Sequence, residues 1–177
     1  MDKKTLEKAL KLHEEWLEVI DTGERLDLRN TNLRNADLSL ADLSGANLRS
    51  AYLRSADLSG SDLGGSDLGG ADLRSAYLRS ADLSFADLSG ADLTWVDTQN
   101  VKGQKVISVQ VDTSRLNNMV SYWANLGVWT TGCFQGSLEE LKENIESTHK
   151  DNELLKKRYY RVIDFILNEA EEDEIGS

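Results

Sequence analysis

The chain has 177 residues, 40% of them hydrophobic, and sets 31 acidic side chains against 20 basic ones for a formal net charge of −11. That length holds one domain, or one with a small appendage, and no apolar run approaches the ~18 residues of a membrane-spanning helix. The negative charge argues against direct binding to nucleic-acid phosphates. A single cysteine, Cys133, excludes an internal disulfide framework and fits a reducing compartment.

Met1-Asp2-Lys3-Lys4 shows no apolar leader, which predicts a cytoplasmic protein. The spacing of Leu6, Ala9, Leu10, His13, Trp16, Leu17 and Ile20 then predicts an amphipathic helix, stopped near Gly23. Its apolar stripe is expected to plug the open end of the segment that follows, with His13 as part of that packing.

From Leu28 to Leu93 a leucine recurs every fifth residue without a miss. Two residues before it stands a small residue, mostly alanine, with Ser61 and Ser66 in mid-array and Leu26 and Thr31 in that slot at the start. One residue before it stands Asp or Asn, except at Tyr52 and Tyr77. A period of five fits neither regular element. On a helix each step rotates the leucine by about 140°, and on a flat strand an odd step sends alternate leucines into water. All of them are satisfied when the chain turns a corner every five residues and stacks coil on coil.

In units such as Ala36-Asp37-Leu38-Ser39-Leu40 and Ala46-Asn47-Leu48-Arg49-Ser50 the chain resembles the pentapeptide-repeat family. The resemblance implies a mainly β fold: a right-handed quadrilateral β-helix with one pentapeptide per side and four per coil. Fourteen units make about 3.5 coils, a stack about 17 Å tall at the ~4.8 Å spacing of neighbouring strands. Four sides put Arg34, Arg54 and Arg74 in one column beside Tyr52. The side of Leu43, Leu63 and Leu83 carries Asp42, Asp62 and Asp82 and no arginine. The glycines at 64–65 and 69–70 read as corner residues, and the repeat aspartates as outward, single carboxylates.

The period fails after Trp95, and Gln99-Asn100 is expected to end the array. Val106–Val111 alternates like a strand. Met119–Trp123 and Val128–Phe134 read as a hairpin around Ala124–Gly127. Ser137 and Glu140 form a capping box that opens a helix to about Thr148. A second helix from near Asp151 carries Leu155, Tyr159, Val162, Ile163, Ile166 and Leu167 on one face and frays in the acidic stretch 169–174. Thr131-Gly-Cys-Phe134, Gly136-Ser-Leu-Glu-Glu-Leu141 and Thr148-His149, with Asn152 and Tyr159, resemble the domain after the repeats in many phage and prophage proteins. The expected domains are a capping helix over 1–25, the β-helix over 26–100 and a small α+β domain over 101–177.

No enzyme signature emerges. Cys133 and His149 lack a nucleophile context, and a lone cysteine between glycine and phenylalanine on an expected strand reads as buried packing. His13, Cys133 and His149 have no metal-ligand spacing, and no cofactor is expected. Two groups stand out. Arg34, Arg54 and Arg74 with Tyr52 form a candidate surface for an anion or an acidic partner. Cys133, His149, Asn152 and Tyr159 form a candidate pocket between sheet and helices.

The expected role is a non-enzymatic interaction module, associated with phage and binding a host protein, with homo-oligomerisation through the C-terminal domain. The alternatives are a DNA mimic acting on an enzyme such as gyrase, which the resemblance implies, and a protein that sequesters a small nucleotide in the C-terminal pocket. DNA carries a charge per ~1.7 Å, so a ~17 Å mimic needs about ten. Residues 26–100 offer 11 aspartates offset by 6 arginines.

Overall fold

The computed structural model describes residues 1–19, 22–111 and 118–175, with no side chain given for Asn118 or 172–175. Ile20, counted above on the helical stripe, lies outside the described residues. The chain divides into two compact units, 1–104 and 105–177.

In the first unit the residue before each leucine pairs in parallel with the residue twenty positions on, from Asp27 with Asn47 to Asp82 with Lys102. Twenty residues are four pentapeptides, so the chain regains its starting side once every four units. Each rung is a pair of backbone bonds, such as Leu33 N–H to the Tyr52 carbonyl and Tyr52 N–H to the Thr31 carbonyl, both 2.9 Å. Between rungs the chain turns: Ala36 N–H closes on the Leu33 carbonyl at 3.0 Å, with Asn35 at φ 56°. That positive φ recurs two residues after every leucine slot from Asn30 to Asn100. It is the turn position that favours glycine or asparagine.

Every leucine of the five-residue register from Leu28 to Leu93 is at most 3% exposed. Within the stack the inward slot two residues earlier is small, and Ala51, Ala56, Ser61, Ser66 and Ala71 are buried there, while the larger Leu26 fills it at the first unit. The Asp/Asn slot has a structural reason that periodicity alone does not reveal. Its side-chain oxygen turns back to accept the N–H of the residue after the leucine, as in Asp37 to Ser39, Asn47 to Arg49 and Asp62 to Gly64. The repeat aspartates are therefore bonded to their own backbone rather than simply directed outward.

The array continues past the expected end at Asn100. Lys102 N–H bonds the Ala81 carbonyl and Leu83 N–H bonds the Lys102 carbonyl, each at 2.9 Å. Gly103 takes the leucine slot of this added side, and a Cβ there would lie 2.2 Å from the Ser84 amide nitrogen. No leucine can stand where the backbone passes so close, so the period, already broken at Thr98, does not resume here while the coil goes on.

Helix α1 (Lys3–Glu18) begins at Asp2, whose carboxylate accepts from the Thr5 N–H and hydroxyl. It lies in the same unit as the repeats and bonds to the chain that enters them. Leu26 N–H donates to His13 Nδ1 at 3.1 Å, and Glu24 N–H to the Leu12 carbonyl at 3.0 Å. Gly23, at φ 76°, turns the chain back against the helix, where a Cβ would lie 2.2 Å from the Leu12 oxygen.

The second unit holds a sheet of β1 (Val106–Val111), β2 (Asn118–Trp123), β3 (Val128–Thr131) and β4 (Phe134–Gly136), antiparallel and in chain order. The stretch expected as one strand over 128–134 is broken by a tight turn at Gly132-Cys133, because Gly132 adopts φ 55°. Helix α2 (Leu138–Thr148) opens on the Ser137/Glu140 capping box. Helix α3 (Glu153–Ile175) runs through the acidic stretch that was expected to fray. Leu141, Ile145, Tyr159, Ile163 and Ile166 cover Val111, Val120 and Trp129 of the sheet in one core.

Candidate functional site

The second side of the coil presents two parallel columns, fixed by backbone bonds from Asn35 N–H to the Arg54 carbonyl and from Ser55 N–H to the Arg74 carbonyl. One column is Arg34, Arg54, Arg74 and Thr94. The other, two residues earlier, is Asn32, Tyr52, Asp72 and Asp92, joined by parallel bridges.

The charges along this face are handled unequally. Arg74 makes a bidentate pair with Asp72, with both contacts at 2.7 Å, and lies 3.5 Å from Asp92. That pairing raises the Arg74 pKa and, chiefly through the Arg74 side chain, holds the Asp72 carboxyl below its ordinary value. Three other repeat arginines are also paired: Arg29 with Asp27 at 2.6 Å, Arg79 with Asp97 at 2.6 Å and Arg49 with Asp67 at 3.8 Å. Arg49 reaches its partner across Gly69, where a Cβ would come within 2.9 Å of the guanidinium. Arg34 and Arg54 have no ion pair among the described residues. Their neighbouring slots hold neutral Asn32 and Tyr52, and the Arg34 guanidinium lies over the Tyr52 ring at 4.9 Å. Tyr52, 44% exposed, also lacks the side-chain oxygen that elsewhere accepts the next amide.

The second group divides. His149 ends α2 and stacks on Tyr159 of α3, with ring centroids 5.3 Å apart and planes 16° off parallel. Tyr159 belongs to the buried core. Asn152 caps α3, its side-chain oxygen accepting from Leu155 N–H at 3.0 Å. Cys133 is not buried in a strand as expected: it is exposed, in the turn between β3 and β4, on a different element from the stack. The helix–sheet junction thus accounts for His149, Asn152 and Tyr159 by stacking, capping and core packing. Among the described residues no group of three His, Cys, Asp or Glu could hold a metal ion, and no helix is long and apolar enough to cross a membrane.

Two features of the first unit escaped the sequence reading. One is the backbone-bonding role of the Asp/Asn slot, signalled by its near-invariance along the array. The other is the presence of Leu40, Phe85 and Trp95 at positive-φ corners, 82%, 96% and 49% exposed. All three are legible as the large apolar side chains in a slot otherwise filled by Gly, Asn or Ser.

Residues 25–60 and 56–94 match the profile of the family described as pentapeptide repeats, in 8 copies. Among solved structures the chain is similar to HetL, a pentapeptide repeat protein involved in heterocyst differentiation regulation in Nostoc sp. strain PCC 7120. The identity is 36% over 44% of this chain and 45% of that one, with a TM-score of 0.27. It is similar to alr5209, a pentapeptide repeat protein from Nostoc PCC 7120, at 32% identity over 54% of this chain and 74% of that one, TM-score 0.33. It is similar to Rfr23, a pentapeptide repeat protein from Cyanothece 51142, at 39% identity over 48% and 63% of the two chains, TM-score 0.26. The chain therefore spans less than half the length of HetL and under two thirds of Rfr23. No curated protein matches it.

Proposed function

We propose that this chain, which belongs to the pentapeptide-repeat family, is a non-enzymatic module that binds a protein partner through the arginine face of its repeats. The family's repeats imply a right-handed β-helix, and its members are typically structural or interaction modules. In this reading α1 caps the first coil, and the second unit provides a small sheet-and-helix domain. The partner is a host protein met in the cytoplasm by a phage-associated module.

One observation carries the proposal: within an acidic chain, Arg34 and Arg54 make no ion pair among the described residues, while Arg29, Arg49, Arg74 and Arg79 are each paired with an aspartate. The DNA-mimic alternative has less support. A mimic needs negative charges in register with phosphates, whereas four aspartates of this surface are offset by paired arginines and two further arginines stand beside them.

Changing Arg34, Arg54 and Arg74 together to glutamate leaves the leucine core untouched. Capture from host lysate should yield a partner on wild-type protein and lose it on the folded triple variant, more completely at low salt. Equal capture by both proteins would remove this face from the function.

A further inference from the structure

We infer that Arg34, held over the Tyr52 ring, and Arg54 form a receptor for a side-chain carboxylate of the protein partner, and that Arg74 is not part of it. The inference rests on the interaction-module reading and adds to it the chemistry that the partner must present.

Adjacent coils set the backbones that carry the two arginines about 4.8 Å apart, close enough for both long side chains to reach one acid group. Their planar donor forks suit its paired oxygens. Stacking of Arg34 on the Tyr52 ring restrains one fork in advance, so less side-chain freedom is lost when the acid binds. Arg74, one coil further, already gives its donors to Asp72.

The same geometry selects carboxylate over phosphate. Asp72 and Asp92 stand directly beyond the receptor in the neighbouring column. A nucleic-acid strand laid along the face would bring its next phosphates against these carboxylates. A single acidic side chain flanked by neutral residues meets the two open arginines and stops short of them. Asp72 and Asp92 thus bound the receptor on one side as well as neutralising Arg74.

Tyr52→Asp provides a test that does not depend on unfolding the protein. The new carboxylate restores the side-chain acceptor for the Arg54 amide, as at most other repeats, while neutralising the receptor from within. The probe is a fluorescein-labelled peptide of alternating glutamate and serine, titrated into full-length protein at low salt. A single-stranded oligothymidylate of equal charge and inorganic phosphate serve as the other arms. NMR of the arginine side chains reports the site. The glutamate peptide should shift the Arg34 and Arg54 Nε–H signals and leave Arg74 unmoved. Tyr52→Asp, melting no lower than wild type, should weaken binding about tenfold or more, the loss of one charge-assisted contact, and Arg74→Ala should not weaken it. Three results would overturn the inference: equal shifts at Arg74, undiminished binding by Tyr52→Asp, or tighter binding of the oligonucleotide or phosphate. If the glutamate peptide fails to bind while lysate capture still depends on the three arginines, the interaction-module reading stands and the carboxylate receptor falls.

Discussion

At the scale of single residues, the repeat imposes one local rule at each slot, and exceptions become visible because the rule repeats. His13 is one place where packing sets chemistry. It is fully buried, its Nδ1 accepts the Leu26 amide, and it stacks on Trp16 at 5.5 Å. Its Nε2 has no hydrogen-bond partner among the described residues. Burial lowers its pKa below the ordinary 6.5, with Arg25 adding to that shift and Asp42 and the Ser44 backbone opposing it. The sign follows directly. The unfolded chain takes up the proton first, so the contribution of neutral His13 is complete above pH 6.5 and is lost as pH falls from there through its folded value. Each unit of depression corresponds to about 1.4 kcal/mol. Thermal melts between pH 7.5 and 5 should show a fall in stability that His13→Gln removes. This window lies above that of the aspartates with lowered pKa, such as Asp37 and Asp87. A parallel fall in His13→Gln would assign the effect elsewhere.

Phe85 is the opposite case. It is 96% exposed at φ 61°, so its side chain is given little packing in return for left-handed backbone. That conformation costs an ordinary L-residue roughly 1–2 kcal/mol, and asparagine visits it more readily. Phe85→Asn should therefore raise the melting temperature, by about 1 kcal/mol in stability. A lowered melting temperature would show that Phe85 packs against something that its exposure does not reveal.

At the scale of elements, α1 bonds the chain that enters the first coil, and on the capping reading proposed above it covers that coil's open edge. Deleting residues 1–22 removes His13 and the helix backbone that bond Leu26 and Glu24. The uncovered strand edge and leucines should then drive association, seen as a larger species in light scattering at micromolar protein. A truncated chain that remained the size of one copy would place the helix's role elsewhere. The leucine period made the β-helix legible because every unit repeats the same inward residue. The period could not show where the coil ends, since Thr98 and Gly103 continue the backbone ladder without the leucine. Nor could it show that Gly132-Cys133 divides the stretch 128–134 into β3 and β4, because a two-residue turn leaves little trace in alternation. The arginine column was readable from the four-unit coil, but not its uneven pairing, which depends on side-chain directions. The C-terminal group stands on segments that share one family resemblance, which does not fix whether their side chains meet. The fold uses Asn152 as a cap, Tyr159 as core and Cys133 as an exposed turn.

At the scale of the molecule, a formal charge of −11 sets the background against which two open arginines matter. Long-range attraction draws this chain toward basic surfaces in general, whereas a basic patch selects the local acid that docks. Orientation on the coil is therefore the most direct test of the account. A photo-crosslinking p-benzoylphenylalanine placed at Asn35 adjoins Arg54 through the backbone bond between them. The same group placed at Phe85 stands at the diagonally opposite corner, on exposed backbone of the same φ class. Irradiation with the captured partner should give a cross-linked product from position 35 and none above background from position 85. A product from position 85 alone, or equal yields from both, would contradict docking through the arginine face.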